Sequence, residues 1–121
     1  MTKKTTGARA LVDALLREKV DHVFGIPGTQ NLAILDELRA TPEIRFILTR
    51  HEQGAAFMAY GYARASGKPG IVTATEGPGV TNLATGIAAA HRGNVPVISI
   101  CGVARSSSRM ARFCVPGMPK T

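Results

Sequence analysis

The sequence predicts an α/β fold with an open, mainly parallel sheet and helices on both faces. Segments with helical periodicity alternate along the chain with short apolar segments. The apolar segments are nearly continuous rather than alternately polar, which is typical of parallel strands buried on both faces. The length of 121 residues allows one domain with such a sheet and its covering helices.

The predicted elements follow one another in strict alternation until the periodicity ends near residue 102. Helices are expected near 10–20, 32–38, 52–65 and 80–91, and strands near 22–24, 44–48, 71–75 and 95–100. Glycine and proline mark the turns between them. Residues 103–121 show neither periodicity. We therefore expect an incomplete, apparently truncated α/β domain over 1–102 and an irregular basic tail over 103–121.

The formal net charge of +7 invites a nucleic-acid function, but its distribution argues against one. Residues 102–121 contain four basic side chains and no acidic one, which is more than half of the excess. The other basic residues are scattered among acids, as on a solvated surface. Aromatic residues make up only 5% of the chain, too few for the clusters that stack bases. Nucleic-acid binding by the folded part is not expected.

The two cysteines and three histidines predict no metal site in this chain. Cys101 and Cys114 are not part of a CxxC pair, and the histidines lack the spacing of metal ligands. No apolar run approaches the roughly 20 residues that span a bilayer. The N-terminus has no signal-peptide core. We therefore expect a soluble cytoplasmic protein with no membrane partner.

Three loops that follow predicted strands are unusual, and ligands of parallel sheets bind beyond the carboxyl ends of strands. They cover residues 25–28 (GIPG), 51–54 (HEQG) and 76–79 (EGPG). Glycine lets the backbone approach a ligand closely, and proline fixes the turn. Neither GxGxxG nor GxxxxGK[ST] occurs, so no dinucleotide or Walker-type site is predicted. Taken alone, each loop is better explained as an ordinary tight turn, because glycine and proline are common in turns.

Glu52 is the most notable carboxylate, and the residues around it leave two interpretations open. Residues 49–52 fit a capping box, which would give Glu52 a structural role. Alternatively, the small residues of its helix and of 83–90 allow close helix packing at a subunit interface. A carboxylate there would lose water and could share a proton with a ligand nitrogen. The alanines are also explained by helix propensity alone.

The chain resembles the N-terminal pyrimidine-binding domain of thiamine-diphosphate enzymes, most closely the acetolactate synthase group. The resemblance covers about residues 7–102 and rests on VFGIPG (23–28), RHEQGAAFMAYGYARASGKPG (50–70) and TATEGPGVTNLATGIAAAHRGNVPVISICG (73–102). It implies the thiamine-diphosphate-binding fold. It also implies a lyase or transferase that decarboxylates a 2-keto acid and transfers or releases the aldehyde unit, as in branched-chain amino acid biosynthesis.

The resemblance also implies roles for particular residues. Glu52 takes the position of the family's catalytic glutamate, which hydrogen-bonds N1′ of the cofactor's aminopyrimidine. The shared proton favours the imino tautomer that activates the thiazolium. The residues implied as cofactor-binding are Glu52, Ile26, Pro27, Gly28, Pro78 and Asn82, with Gln53 as a neighbour.

The sequence departs from the family pattern in ways that bear on partners and substrate. The family holds the diphosphate and Mg²⁺ through a GDG element and a later Asn in another domain, and no GDG occurs here. The resemblance thus implies a partner domain or chain with GDG…N, a homo-oligomer and a 2-keto acid substrate. FAD occurs in some relatives and has no signature here. Thr29 and Glu76 differ from the common residues, which leaves synthase and decarboxylase both open.

The expected function is therefore the aminopyrimidine half of a thiamine diphosphate site, inactive as this chain alone. Two alternatives remain from the sequence. One is the small subunit of a two-chain thiamine-diphosphate keto-acid decarboxylase. The other is a non-catalytic remnant that oligomerises through its Ala/Gly helices. The sequence alone leaves open whether the chain takes part in catalysis.

Overall fold

The computed structural model describes residues 5–102 and the strand at 112–114. Its helices are α1 (Gly7–Arg17), α2 (Leu32–Arg39), α3 (Glu52–Ser66) and α4 (Pro78–Arg92). Its strands are β1 (His22–Gly25), β2 (Arg45–Leu48), β3 (Gly70–Thr75), β4 (Val97–Gly102) and β5 (Arg112–Cys114). The predicted alternation is confirmed, with element ends displaced by a few residues. Helix α1 begins early because the Thr6 side chain caps it, accepting a hydrogen bond from the Arg9 backbone N–H at 3.1 Å.

The strands form one five-stranded sheet in the order β2-β1-β3-β4-β5. The pairs β1–β2, β1–β3 and β3–β4 are parallel, whereas β5 runs antiparallel to β4. The predicted α/β fold with a mainly parallel sheet is therefore confirmed.

Strand β5 lies inside the segment that the sequence predicts as an irregular tail. Arg112 pairs with Cys101, and Cys114 pairs with Ser99. Three residues are too few to show periodicity, and their pairing satisfies backbone groups along one edge of β4. The prediction of an irregular tail is thus wrong at these three residues. The rest of 103–121 lies outside the described residues.

Helices cover both faces of the sheet, as predicted. Helices α1 and α2 pack together on one face, and α3 and α4 pack together on the other. Side chains of a strand alternate between faces, so Ile71 belongs to the first core cluster and its neighbour Val72 to the second. Strand β2 is an exception to the expected burial because it lies at the sheet edge, where Leu48 is 67% exposed.

The small residues of α3 and α4 allow these two helices of the same chain to pack closely. Ala55, Ala56 and Ala59 of α3 are fully buried, and Gly86 of α4 lies directly against Ala56. A methyl group on Gly86 would overlap the Ala56 side chain. The close approach expected from the Ala/Gly pattern is therefore used within the chain.

A polar cluster around Asp21 joins the start of β1 to the end of α3 and the following turn. The Asp21 carboxylate pairs with Lys68 Nζ and accepts a hydrogen bond from the Tyr62 hydroxyl. It also lies 2.9 Å from His22 Nδ1. Hydrogen bonds with Lys68, Tyr62 and His22 hold the pKa of Asp21 well below its ordinary value of 3.8.

We expect Asp21→Asn to flatten the pH dependence of stability in acid. A carboxylate whose pKa is lowered by folding stabilises the folded state above its unfolded pKa. It loses that contribution as the pH falls below about 4. The thermal unfolding midpoint of the parent should therefore fall more steeply between about pH 4 and pH 2 than that of the variant. Asp36→Asn, which removes a largely exposed ion pair with Arg39, should keep the parent's slope. Equal slopes for Asp21→Asn and the parent would contradict this.

Within residues 5–102, no helix is long and apolar enough to cross a membrane.

Candidate functional site

The candidate site lies at the carboxyl ends of β1 and β3, the two strands whose following connections lead to opposite faces of the sheet. From β1 the chain leaves towards α2 on one face, and from β3 it leaves towards α4 on the other. The connecting segments 26–31 and 76–77 therefore lead to opposite faces of the sheet, and the switch point between them is called the crevice below. Ligands of open α/β sheets bind at such switch points.

Glu52 and Asn82 come together at this crevice although they are far apart in sequence. Glu52 is the first residue of α3, and Asn82 lies in the second turn of α4. Asn82 Nδ2 donates a hydrogen bond to Glu52 Oε2 at 3.0 Å. Within residues 5–102, Glu52 Oε1 makes no hydrogen bond, and both side chains are half-buried. One carboxylate oxygen is thus held, and the other is available.

The helix packing sets the distance between these two side chains. Ala56 lies one turn beyond Glu52 in α3, and Gly86 lies one turn beyond Asn82 in α4. Because Gly86 has no side chain, its backbone meets Ala56 directly. Positions four apart share a helix face, so this contact brings Glu52 and Asn82 within hydrogen-bond distance.

The capping-box interpretation of residues 49–52 is wrong. His51 is the N-cap of α3, and its Nδ1 accepts a hydrogen bond from the Gln53 backbone N–H at 3.1 Å. Glu52 is the first helical residue, whereas a capping box needs its carboxylate two residues later. Thr49 instead donates to the backbone carbonyl oxygens of Gly25 and His51. The Glu52 side chain is therefore free of any capping role.

Two glycines allow close packing of the backbone beside the carboxylate. Gly79 is buried, and a Cβ there would lie 3.5 Å from Glu52 Oε1 and 3.0 Å from Thr75 Cγ2. A Cβ on Gly28 would overlap the side chain of Thr75, the last residue of β3. Gly28, Thr75, Gly79 and Glu52 are therefore contiguous, and the backbone of both glycines comes close to the site.

The other predicted site residues lie on the loops that border the crevice. Ile26 is half-buried and Pro27 is exposed in the loop after β1, and Pro78 is exposed as the first residue of α4. Gln53 is exposed in the first turn of α3. Gln53 is the only one of these four with a polar side chain, and within residues 5–102 it makes no hydrogen bond to Glu52.

Sequence reasoning missed Asn31, which is fully buried beneath the first loop. Its Oδ1 accepts a hydrogen bond from the Gly28 backbone N–H at 2.7 Å. Its Nδ2 donates to the Ile26 carbonyl oxygen at 3.1 Å and lies 3.4 Å from Thr73 Oγ1. An Asn immediately before a helix is typical of an N-cap, so the sequence offers no signal for this role.

Gly77 adopts a backbone conformation that favours glycine, and we expect Gly77→Ala to be destabilising. Its φ of 78° and ψ of −118° lie outside the regions that L side chains adopt. The substitution should lower the free energy of unfolding by about 1–3 kcal/mol, measured in urea. The matched control is Gly54→Ala in α3, where the added methyl meets open space and should be neutral or stabilising. Equal stability of the two variants would contradict the expected strain.

The chain matches one protein family over nearly its whole length. Residues 5–116 match the family described as "Thiamine pyrophosphate enzyme, N-terminal TPP binding domain". The chain belongs to this family. The expectation drawn from the sequence resemblance is thereby confirmed.

Several curated relatives of this thiamine pyrophosphate enzyme domain are about half identical to it. An acetolactate synthase of Arthrospira platensis is 53% identical over 103 residues, which are 83% of this chain and 18% of the relative. A probable 2-ketoarginine decarboxylase of Pseudomonas aeruginosa is 51% identical over 106 residues, which are 88% of this chain and 19% of the relative. An acetolactate synthase of Bacillus subtilis is 46% identical over 110 residues, which are 90% of this chain and 19% of the relative. The chain thus spans about a fifth of the length of the curated relatives it matches.

The polar groups at the crevice are compatible with thiamine pyrophosphate, the cofactor after which this family is named. Thiamine carries an aminopyrimidine, a flat ring with a basic nitrogen that can share a proton with a carboxyl group. Glu52 presents one oxygen without a hydrogen bond among residues 5–102. Gly79, which has no side chain, lies beside that oxygen. The residues present therefore fit the pyrimidine end of the cofactor.

Proposed function

We propose that this chain provides the aminopyrimidine half of a thiamine diphosphate site. The observation that carries the proposal is the Glu52–Asn82 pair, in which Asn82 Nδ2 holds Oε2 at 3.0 Å while Oε1 stays available beside Gly79. A carboxyl group fixed in this way can share a proton with a ring nitrogen without first reorganising its side chain.

Each crevice residue has a distinct part in this proposal. Glu52 holds the proton that it shares with N1′, and Asn82 orients the carboxyl group. Ile26 and Pro27 on one side and Pro78 on the other border the ring, and the ring approaches the backbone at Gly28 and Gly79, which have no side chains. When bound, thiamine diphosphate supplies an electron sink for the decarboxylation of a 2-keto acid.

We propose that another domain or chain holds the diphosphate and Mg²⁺. The sequence has no GDG element. Within the described residues, no group of three or more His, Cys, Asp or Glu side chains is placed to hold a metal ion. In this proposal the assembled cytoplasmic enzyme decarboxylates a 2-keto acid and transfers or releases the aldehyde unit, whereas the chain alone is inactive. The names of the relatives, acetolactate synthase and probable 2-ketoarginine decarboxylase, support this reaction class.

The pairing with a second chain is favoured by exposed apolar side chains close to the site. Phe57 and Met58 in α3 are 42% and 49% exposed and follow Glu52 by less than two turns. Exposed apolar patches next to a half-site are typical of surfaces that a partner covers. This observation supports a contact between α3 and a second chain.

The proposal is tested by labelling the 121-residue chain with nitrogen-15 and titrating it with thiamine, which has no diphosphate group. We expect backbone amide shifts to move only at residues 25–31, 52–54 and 76–82. The matched probe is a thiamine analogue with CH in place of N1′, which should bind markedly more weakly. Equal binding of both probes, or shifts confined to other regions, would contradict the proposal.

A further inference from the structure

Asn31 makes hydrogen bonds whose direction is fixed by their partners. The Gly28 backbone N–H can only donate, and the Ile26 carbonyl can only accept. The side-chain amide of Asn31 therefore has one orientation, with Oδ1 towards Gly28 at 2.7 Å and Nδ2 towards Ile26 at 3.1 Å. Because Asn31 is 0% exposed, water offers no substitute for these partners.

The Asn31 side chain does not make the stabilising hydrogen bond that is usual at the start of a helix. Asn31 is the N-cap of α2, yet its side chain makes no cap hydrogen bond. Asn is among the best N-cap residues because its oxygen accepts a hydrogen bond from the first turn. Here that oxygen is directed backwards to the loop after β1 instead.

The amide of Asn31 connects this loop to the centre of the sheet. Its Nδ2 lies 3.4 Å from Oγ1 of Thr73 in β3, which in turn donates to the Ile100 carbonyl oxygen in β4 at 2.9 Å. Both Asn31 and Thr73 are 0% exposed. The Ile26 carbonyl and the Gly28 N–H are thus linked through Asn31 to β3, and through Thr73 to β4.

We propose that Asn31 is a positioning residue of the cofactor site, holding Ile26 and Pro27 in place against the pyrimidine. This role rests on the function proposed above. Asn31 acts through the loop, because its amide is engaged with Ile26, Gly28 and Thr73. A loop held in its binding conformation before the ligand arrives loses less entropy on binding.

The test compares two substitutions with different effects on the loop. Asn31→Asp keeps an acceptor for the Gly28 N–H but loses the donor to the Ile26 carbonyl, whereas Asn31→Leu removes both hydrogen bonds. Leu38→Ala, at a buried position of the same helix, lowers stability without touching the loop and serves as the control. Thiamine dissociation constants are measured by amide shifts of the full chain, well below each unfolding midpoint.

We expect Asn31→Leu to weaken thiamine binding at least about tenfold, with Asn31→Asp between it and the parent. Leu38→Ala should bind within about twofold of the parent. Amide exchange at Gly28 should be faster in Asn31→Leu and remain slow in Asn31→Asp and Leu38→Ala. If Asn31→Leu does not fold, the weaker binding of Asn31→Asp carries the test.

A folded Asn31 variant that binds thiamine as tightly as the parent would overturn the positioning role. So would a loss of thiamine affinity in Leu38→Ala as large as that in Asn31→Leu. Failure of the proposed function is seen separately, because the unsubstituted chain would then not bind thiamine at all. The positioning role would fall with it.

Discussion

Glu52→Ala is expected to weaken thiamine binding by about 10- to 100-fold, because it removes a charge-assisted hydrogen bond worth about 1.5–3 kcal/mol. Glu52→Gln keeps the size of the side chain and an N–H donor, but it cannot share a proton with the ring nitrogen. We therefore expect an intermediate loss in Glu52→Gln. Both losses are measured by amide-shift titration with thiamine.

The control for this prediction is a second carboxylate near the same crevice. Glu76 follows β3 and is exposed, so Glu76→Gln changes the net charge as Glu52→Gln does. It should bind thiamine within about twofold of the parent. If Glu76→Gln lost as much affinity as Glu52→Ala, general charge rather than a placed carboxylate would explain binding. Unchanged binding by Glu52→Ala would contradict its role directly.

Gly86→Ala is expected to lower the free energy of unfolding by about 1–3 kcal/mol and to weaken thiamine binding as well. The added methyl would overlap Ala56, so α3 and α4 must separate. Their separation would break the 3.0 Å hydrogen bond between Asn82 and Glu52, one helical turn away. Urea unfolding gives the loss of stability, and the Asn82 side-chain amide signals report the loss of the hydrogen bond.

Gly61→Ala is the matched control, since Gly61 lies in α3 and a methyl there meets open space. It should stabilise the chain by up to about 1 kcal/mol and leave thiamine binding unchanged. A Gly86→Ala variant as stable as Gly61→Ala would show that the helices do not need the close contact. The link between helix packing and site geometry would then be lost.

The sequence predicts most of the fold because apolar periodicity is strong in the buried elements. Strands β1, β3 and β4 appear within two or three residues of their predicted positions, since their side chains are buried in the sheet. Strand β5 escapes prediction because it consists of three residues paired at a sheet edge. The edge position of β2 depends on the order of the strands in the sheet, which cannot be predicted from local sequence.

The candidate site is less predictable because its contacts join distant residues. The family resemblance singles out Glu52 and Asn82, but no spacing rule predicts that their side chains meet across two helices. The capping-box prediction fails because α3 begins at Glu52, and a displacement of two residues changes the role of the carboxylate. Asn31 is missed because its sequence position is that of an ordinary N-cap, whereas its partners lie in the preceding loop and in β3.

The most direct test of the central claim is the nitrogen-15 NMR signal of thiamine labelled at N1′ and bound to the chain. If Glu52 shares a proton with the pyrimidine, the N1′ signal should move towards its protonated position in the parent complex. The displacement should be lost in Glu52→Gln and kept in Glu76→Gln. An N1′ signal that matches free thiamine in the parent complex would contradict the account.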